Sequence, residues 1–192
     1  MKGRRLIASG IILIVLAVLL AGYNVFCSVR GGNAAEDTLA YLDKVTESPE
    51  PAPSYMLNPD MEMPEVEIDG IMYIGKVSLP SIGITLPVAS SFDYSVLNIS
   101  PCRYSGSAYR DSMIICGHNF RTHFGSLAGL TAGDMVTFTD AEGNLFTYEV
   151  CDMESMDGTD VERMSQGEWD LTLFTCTPGG RARLAVRCIR VK

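Results

Sequence analysis

A chain of 192 residues with 47% hydrophobic side chains has room for one domain of ordinary size, a substantial core and some residues to spare. Its formal charge of −8, with no basic stripe interleaved with aromatics, argues against a nucleic-acid partner. The charge is uneven: residues 1–30 carry four basic and no acidic side chains, residues 31–70 carry ten acidic and one basic, and the remainder is nearly balanced.

Residues 6–27, LIASGIILIVLAVLLAGYNVFC, form an uncharged run of 22 residues. A helix rising ~1.5 Å per residue would carry this run across a ~30 Å hydrocarbon layer. A soluble core helix is seldom apolar on every face. A cleaved signal peptide has a shorter apolar region of ~7–15 residues and ends in small side chains, whereas bulky Tyr23, Val25 and Phe26 close this run. With Lys2, Arg4 and Arg5 ahead of it, residues 1–30 read as a cytoplasmic tip and an uncleaved signal anchor. The protein is then expected in the cell membrane, single-pass, with its N-terminus inside and the rest of the chain outside.

Residues 31–69 follow as an acidic, Pro-containing spacer with SPEPAPS at 48–54. Their poverty in large apolar residues predicts extended or only locally helical chain, with a short helix at 39–45. From residue 70 the pattern changes to short apolar runs between turn residues. Strands are predicted at 71–77, 84–88, 112–117, 135–139, 145–153, 170–176 and 183–191. DAEGN at 140–144 and TPGG at 177–180 supply hairpin turns, 124–130 a short helical turn, and 154–169 a polar loop. Such strands with short connections make a closed barrel or a sandwich.

Six cysteines are present. Cys27 sits at the edge of the membrane segment, and the other five cannot all pair internally, so at least one thiol is free. No C-x-x-C spacing marks a zinc ribbon or a thioredoxin-like site. Cys102, Cys116, Cys151 and Cys188 read as small buried hydrophobes.

Two segments carry chemistry. IICGHNF at 114–120 is a buried strand ending abruptly in His118, and TLFTCTPGGRARLAVR at 172–187 delivers Cys176 to a strand end before a Gly-rich turn and an arginine-bearing strand. Cysteine catalysis needs a thiol, a group to shuttle its proton, and donors for the oxyanion of the tetrahedral intermediate. The turn with Pro178, Gly179 and Gly180 returns the chain beside the cysteine strand, bringing Arg183 toward Cys176. Arg187 is then carried roughly 13 Å further along, at ~3.3 Å per residue, and Arg181 lies within the turn.

These motifs resemble the sortase family. Its TLxTC element appears as Thr172-Leu-Phe-Thr-Cys176, and its GH element as Gly117-His118, 58 residues earlier. Its arginine matches Arg183, and IGKVSLP at 74–80 with LPV at 86–88 is similar to its first two strands. The resemblance covers about residues 70–192 and divides the chain into an anchor at 1–30, a spacer at 31–69 and a catalytic domain at 70–192. It implies an all-β fold, a closed sortase-type β-barrel of about eight strands with short helical turns, preceded by an N-terminal transmembrane helix.

The function implied is that of a cysteine transpeptidase, a thiol peptidase of Gram-positive cell-wall anchoring. It cleaves an LPxTG-like C-terminal sorting signal between Thr and Gly through a thioester acyl-enzyme. The product passes to an amine of a cell-wall precursor or a pilin lysine. Carried over by residue, Cys176 is the nucleophile, His118 the acid/base, Arg183 the substrate or oxyanion stabiliser, and Thr175 lines the site. No metal or cofactor is implied. The connection at 154–169 is short and acidic, without the long helical insertion of class B enzymes, which leaves the subclass open.

Other readings of the same residues are weighed alongside. Cys116, His118 and His123 lack a further close pair to complete a metal site, and His123 reads as a surface residue of the helical turn. Glu154, Asp157, Asp160 and Glu162 lack an EF-hand pattern and read as solvated charge. Papain-like hydrolases place cysteine before histidine, the reverse of this order, and the His-Gly-Cys cluster of L,D-transpeptidases is missing. A non-catalytic extracellular β-domain is the remaining alternative, and it predicts no reactive thiol.

Overall fold

The structure, a computed structural model, describes residues 2–45 and 53–191, so most of the Pro-rich stretch lies outside it. In chain order the elements are α1 (Lys2–Val45), β1 (Val66–Ile68), β2 (Ile71–Leu79), β3 (Ile84–Ala89), α2 (Tyr94–Leu97), β4 (Cys102–Ser105) and β5 (Met113–Gly117). Then come β6 (Met135–Asp140), β7 (Leu145–Asp157), α3 (Val161–Ser165), β8 (Leu171–Cys176) and β9 (Ala182–Arg190). A 3-10 turn at Phe124–Gly129 stands where a helical turn is predicted.

In α1 the apolar run leaves Ile11, Leu13, Leu16 and Leu20 all exposed, as a helix long enough to cross a bilayer would. The helix does not stop at the end of that run. Through residues 31–45, where the composition predicts extended or only locally helical chain with a short helix at 39–45, it continues unbroken. The reason is tertiary. Gly31, Ala35, Thr38 and Leu42 are buried in a single stripe spaced four, three and four residues apart, the repeat of one helix face. That stripe packs on β3 and β2, with Asp43 paired to Lys76 at its far end.

Eight strands close into a barrel in the order β2-β3-β4-β5-β8-β9-β7-β6, with β6 returning to pair with β2. β1 pairs with β2 alone and stands outside the closure. Inward-facing Ile74, Val77, Phe138, Phe146, Leu173 and Val186 are wholly buried and form one core, each worth about 1.5–3 kcal/mol of burial. Tyr55 and Met63, from the predicted spacer, join that core. At the β6–β7 hairpin the buried Asp140 carboxylate accepts the backbone N–H groups of Glu142 and Asn144, both at 2.9 Å, and the Tyr109 hydroxyl at 2.7 Å. A buried carboxylate is tolerable only with donors of this kind.

Four details depart from the strand pattern read in the sequence. β1, inside the predicted spacer, and β4 are additional short strands, β7 extends to Asp157, and α3 forms inside the predicted polar loop. Asp160 caps α3 by accepting the Arg163 N–H at 3.2 Å.

Candidate active site

β5 and β8 run parallel with Gly117 opposite Thr175, so the next residues along the two chains are His118 and Cys176. β8 and β9 run antiparallel with Cys176 opposite Arg183. His118, Cys176 and Arg183 therefore lie in one row across three neighbouring chain segments at the same end of the barrel. All three, together with Thr175, line a cleft of about 290 Å³.

Local chemistry fixes that row. The Thr175 hydroxyl donates to the Gly117 carbonyl at 2.8 Å, clamping the ends of β5 and β8 together. Gly117 leaves room for the Phe124 ring, which a Cβ there would meet at 2.7 Å. The Phe124 N–H donates to the His118 carbonyl at 3.0 Å, which turns the chain sharply after the strand. His118 is left at the cleft with its ring stacked on Phe120, centroids 4.7 Å apart and planes 23° apart.

The turn after Cys176 is closed by the Gly180 N–H on the Thr177 carbonyl at 2.8 Å and the Thr177 N–H on the Ala182 carbonyl at 2.9 Å. Gly179 and Gly180 take φ of 85° and 72°, a region that favours glycine. Arg183 folds toward this turn, its Nη1 donating to the Gly180 carbonyl at 3.2 Å and the Ala182 carbonyl at 3.3 Å.

Burial holds the His118 imidazole below its ordinary pKa, which keeps it neutral at neutral pH. Asp157, also on the cleft, is held low first by the Thr159 hydroxyl and backbone, then by the Arg183 charge. Among the thiols, burial pushes Cys102 up to about 11 and Cys116 and Cys188 up to about 12. These three stay protonated and unreactive. Cys176 differs in being half-buried on the cleft. Cys151, predicted to be buried, is exposed because β7 turns it outward.

An aromatic wall faces the row. Phe92 meets Tyr104 edge-on at 5.9 Å, and Tyr104 meets Phe174 edge-on at 5.4 Å, with Leu97 and Met164 beside them. None of these was singled out in the sequence. The only available signal was Phe174 alternating with Cys176 on β8, because β4, which carries Tyr104, is too short to show a period. A larger groove of about 650 Å³ runs between α1 and the barrel, but no histidine lines it.

Two further expectations, on His123 and Glu154, are corrected. His123 is wholly buried, and neither ring nitrogen has a hydrogen-bond partner. Burial first, then the neighbouring His118, lowers its pKa to about 4. Arg187 is 1% exposed; its Nε and Nη2 donate to Glu154 Oε1 at 2.9 and 2.7 Å, and its Nη1 to the Met164 carbonyl at 2.7 Å. Glu154 is consequently not a solvated charge, since Arg163 pairs with its second oxygen at 2.9 Å. Among the described residues no three His, Cys, Asp or Glu side chains gather as a metal site would require.

A closed eight-stranded barrel presenting a thiol, an imidazole and a guanidinium in one row defines a class of fold and site, and comparison with known proteins assigns the family. A profile for the sortase domain matches residues 77–191, and the chain belongs to the sortase family. No individually curated sequence matches it significantly. Among solved structures it is similar to sortase C1 from Streptococcus suis, at 26% identity and TM-score 0.55, covering 62% of this chain and 73% of that one. Sortase C1 from Streptococcus agalactiae is likewise 26% identical, at TM-score 0.57 over 83% of this chain and 86% of that one. The Clostridium perfringens sortase D5 transpeptidase shares the fold at 20% identity and TM-score 0.64, over 83% of this chain and 99% of that one.

Proposed function

We propose that this chain is a membrane-anchored cysteine transpeptidase acting on an LPxTG-like sorting signal, with Cys176 as nucleophile, His118 as acid/base and Arg183 as oxyanion or substrate donor. The observation that carries the reading is the register that sets Cys176 opposite Arg183 on one side and beside His118 on the other.

In this mechanism the Cys176 sulfur attacks the Thr carbonyl of the Thr–Gly bond while its proton passes to neutral His118. Arg183 leaves its backbone carbonyls to donate to the oxyanion, where the negative charge of the tetrahedral intermediate develops. His118 returns the proton to the departing Gly amine, and a thioester remains on Cys176. An incoming amine from a cell-wall precursor or a pilin lysine attacks that thioester and gives its proton to His118, which passes it to the departing Cys176 sulfur and restores the thiol. Thr175 holds the strand ends in register, and the aromatic wall suits the apolar residue of a bound signal peptide.

The anchor places this chemistry outside the cell. Lys2, Arg4 and Arg5 stay on the cytoplasmic side of the apolar run, so protease added to intact protoplasts should digest the barrel. For activity, the full chain in detergent is incubated with an LPxTG-type peptide and a glycine-based amine. Production of the ligated peptide, lost in Cys176→Ala, supports the reading, whereas no cleavage over a range of sorting peptides overturns it.

A further inference from the structure

His123 is an odd residue for its position. A buried imidazole with two unpartnered nitrogens is costlier than an apolar side chain of the same size. The main chain of Ile99 is the one group that favours its protonated form, and it falls short of hydrogen-bond geometry. Three parts of the molecule meet at this ring. Helix α1 supplies Gly31, where a Cβ would stand 3.1 Å from His123 Nε2 and 3.3 Å from the Asn98 carbonyl. The turn after α2 supplies Asn98 and Ile99. The loop that carries His118 supplies Phe120, whose ring lies 5.5 Å from that of His123 at 44°.

Phe120 in turn stacks on His118. An unbroken series of contacts therefore runs from Gly31 on the membrane-derived helix, through His123 and Phe120, to His118. The loop between them has little slack. His123 N–H donates to the Phe120 carbonyl at 2.9 Å, Gly125 N–H donates to the same carbonyl at 2.9 Å, and Phe124 N–H closes the loop on His118. A second tie joins loop and helix, the Thr122 hydroxyl donating to the Ser28 carbonyl at 3.1 Å. A ring displaced at His123 cannot be absorbed before Phe120, and Phe120 is the surface on which His118 rests.

We propose that His123 is a positioning residue through which the docked helix α1 sets the ring of His118 for proton transfer. The inference rests on the reading of His118 as acid/base. It gives the buried stripe of α1 a role beyond tethering, because the barrel would work at full rate only with that helix seated.

The chain has only two histidines, so ring carbon–proton correlation spectra of the full chain in detergent micelles report each separately. Gly31→Val pushes on the His123 ring without removing it, and His123→Phe keeps the packing and removes the nitrogens. Cys151→Ser, on the exposed face of β7, is the control. Both test variants are expected to shift the His118 ring signal and the acid limb of the pH–rate profile. Turnover should fall by about 10²-fold, the scale of a small misplacement of a reacting group, with KM within about threefold of wild type. Should His123→Phe fail to fold, Gly31→Val decides alone. A His118 signal and pH profile unchanged in the folded variants overturn the proposal, whatever the turnover. If the wild-type chain cleaves no sorting peptide and yet the His118 signal moves in both variants, the coupling stands and the transpeptidase reading falls.

Discussion

Cys176 and Arg183 are direct partners across the antiparallel β8–β9 pair, whereas Arg187, four residues on, opposes Thr172. Partners across a ladder project to the same side, with Cβ atoms about 4.5–5.5 Å apart. The guanidinium at the cleft is thus Arg183, and the two arginines have opposite environments: one lies on the cleft against a turn, the other under α3 in an ion pair.

Their substitutions should separate accordingly. Arg183→Ala is expected to lower turnover by about 10²–10³-fold with the melting temperature unchanged. Lysine at 183 should rescue poorly, because it lacks a planar fork of donors. Arg187→Ala leaves Glu154 to Arg163 alone and strands the carbonyls of Met164 and Arg163, for a stability loss of about 2–3 kcal/mol, roughly 5–10 °C for a chain of this size. Thermal melts and steady-state kinetics on both variants check this split. Loss of turnover in Arg187→Ala at full stability would refute it.

Acid should destabilise the barrel through His123. Its folded pKa is lowered to about 4, against ~6.5 for an exposed imidazole, so the unfolded chain binds the proton more readily. The sign follows: no penalty above about pH 6.5, and a loss of roughly 3 kcal/mol accrued as pH falls toward 4. Denaturant melts between pH 7 and 4 should show this slope, and His123→Phe should remove most of it, leaving the smaller part due to the lowered pKa of His118. An equal slope in both proteins would count against the buried neutral ring.

Thiol accessibility offers a test without substrate. In the folded chain, with Cys27→Ser to remove the thiol of the apolar helix, alkylation should reach Cys151 and Cys176 and spare Cys102, Cys116 and Cys188 until denaturant is added. The last three are at most 2% exposed. Mass mapping reads the order, and early labelling of Cys116 would contradict the packing of β5.

Gly117→Ala should disturb fold and site together. Its methyl would press on the buried Phe124 ring, at a typical overpacking cost of about 1–3 kcal/mol, and Phe124 anchors the His118 carbonyl. Turnover should fall with stability, and a smaller ring at 124 in a double variant should restore part of both. Independent, additive losses would show that the two positions do not share this contact.

Much of this arrangement was legible in the residues. The apolar run at 6–27 needs no context, and the turns at 140–144 and 177–180 announce their hairpins through Asp, Gly and Pro. Gly117-His118 and TLFTC, each at the end of an apolar run, marked the two strand ends that meet. What escaped was decided by tertiary contact. The stripe Gly31, Ala35, Thr38 and Leu42 has helical spacing, but its small and polar members carry little hydrophobic signal until β2 and β3 cover them. His123 looked exposed because histidine in a surface turn usually is, and nothing in the sequence pairs Arg187 with Glu154. Only the seating of α1 over one, and of α3 with Glu154 over the other, buries them.

The central claim is that Cys176 forms a thioester with the sorting signal, and intact mass spectrometry tests it most directly. The full chain is mixed with an LPxTG-type peptide in the absence of any amine and quenched in acid. One adduct is expected, Cys176 acylated by the fragment that ends at Thr with the Gly-containing fragment released, mapped to Cys176, freed by hydroxylamine and absent in Cys176→Ala. Cleavage without that adduct, or an adduct on any other residue, would contradict the claim.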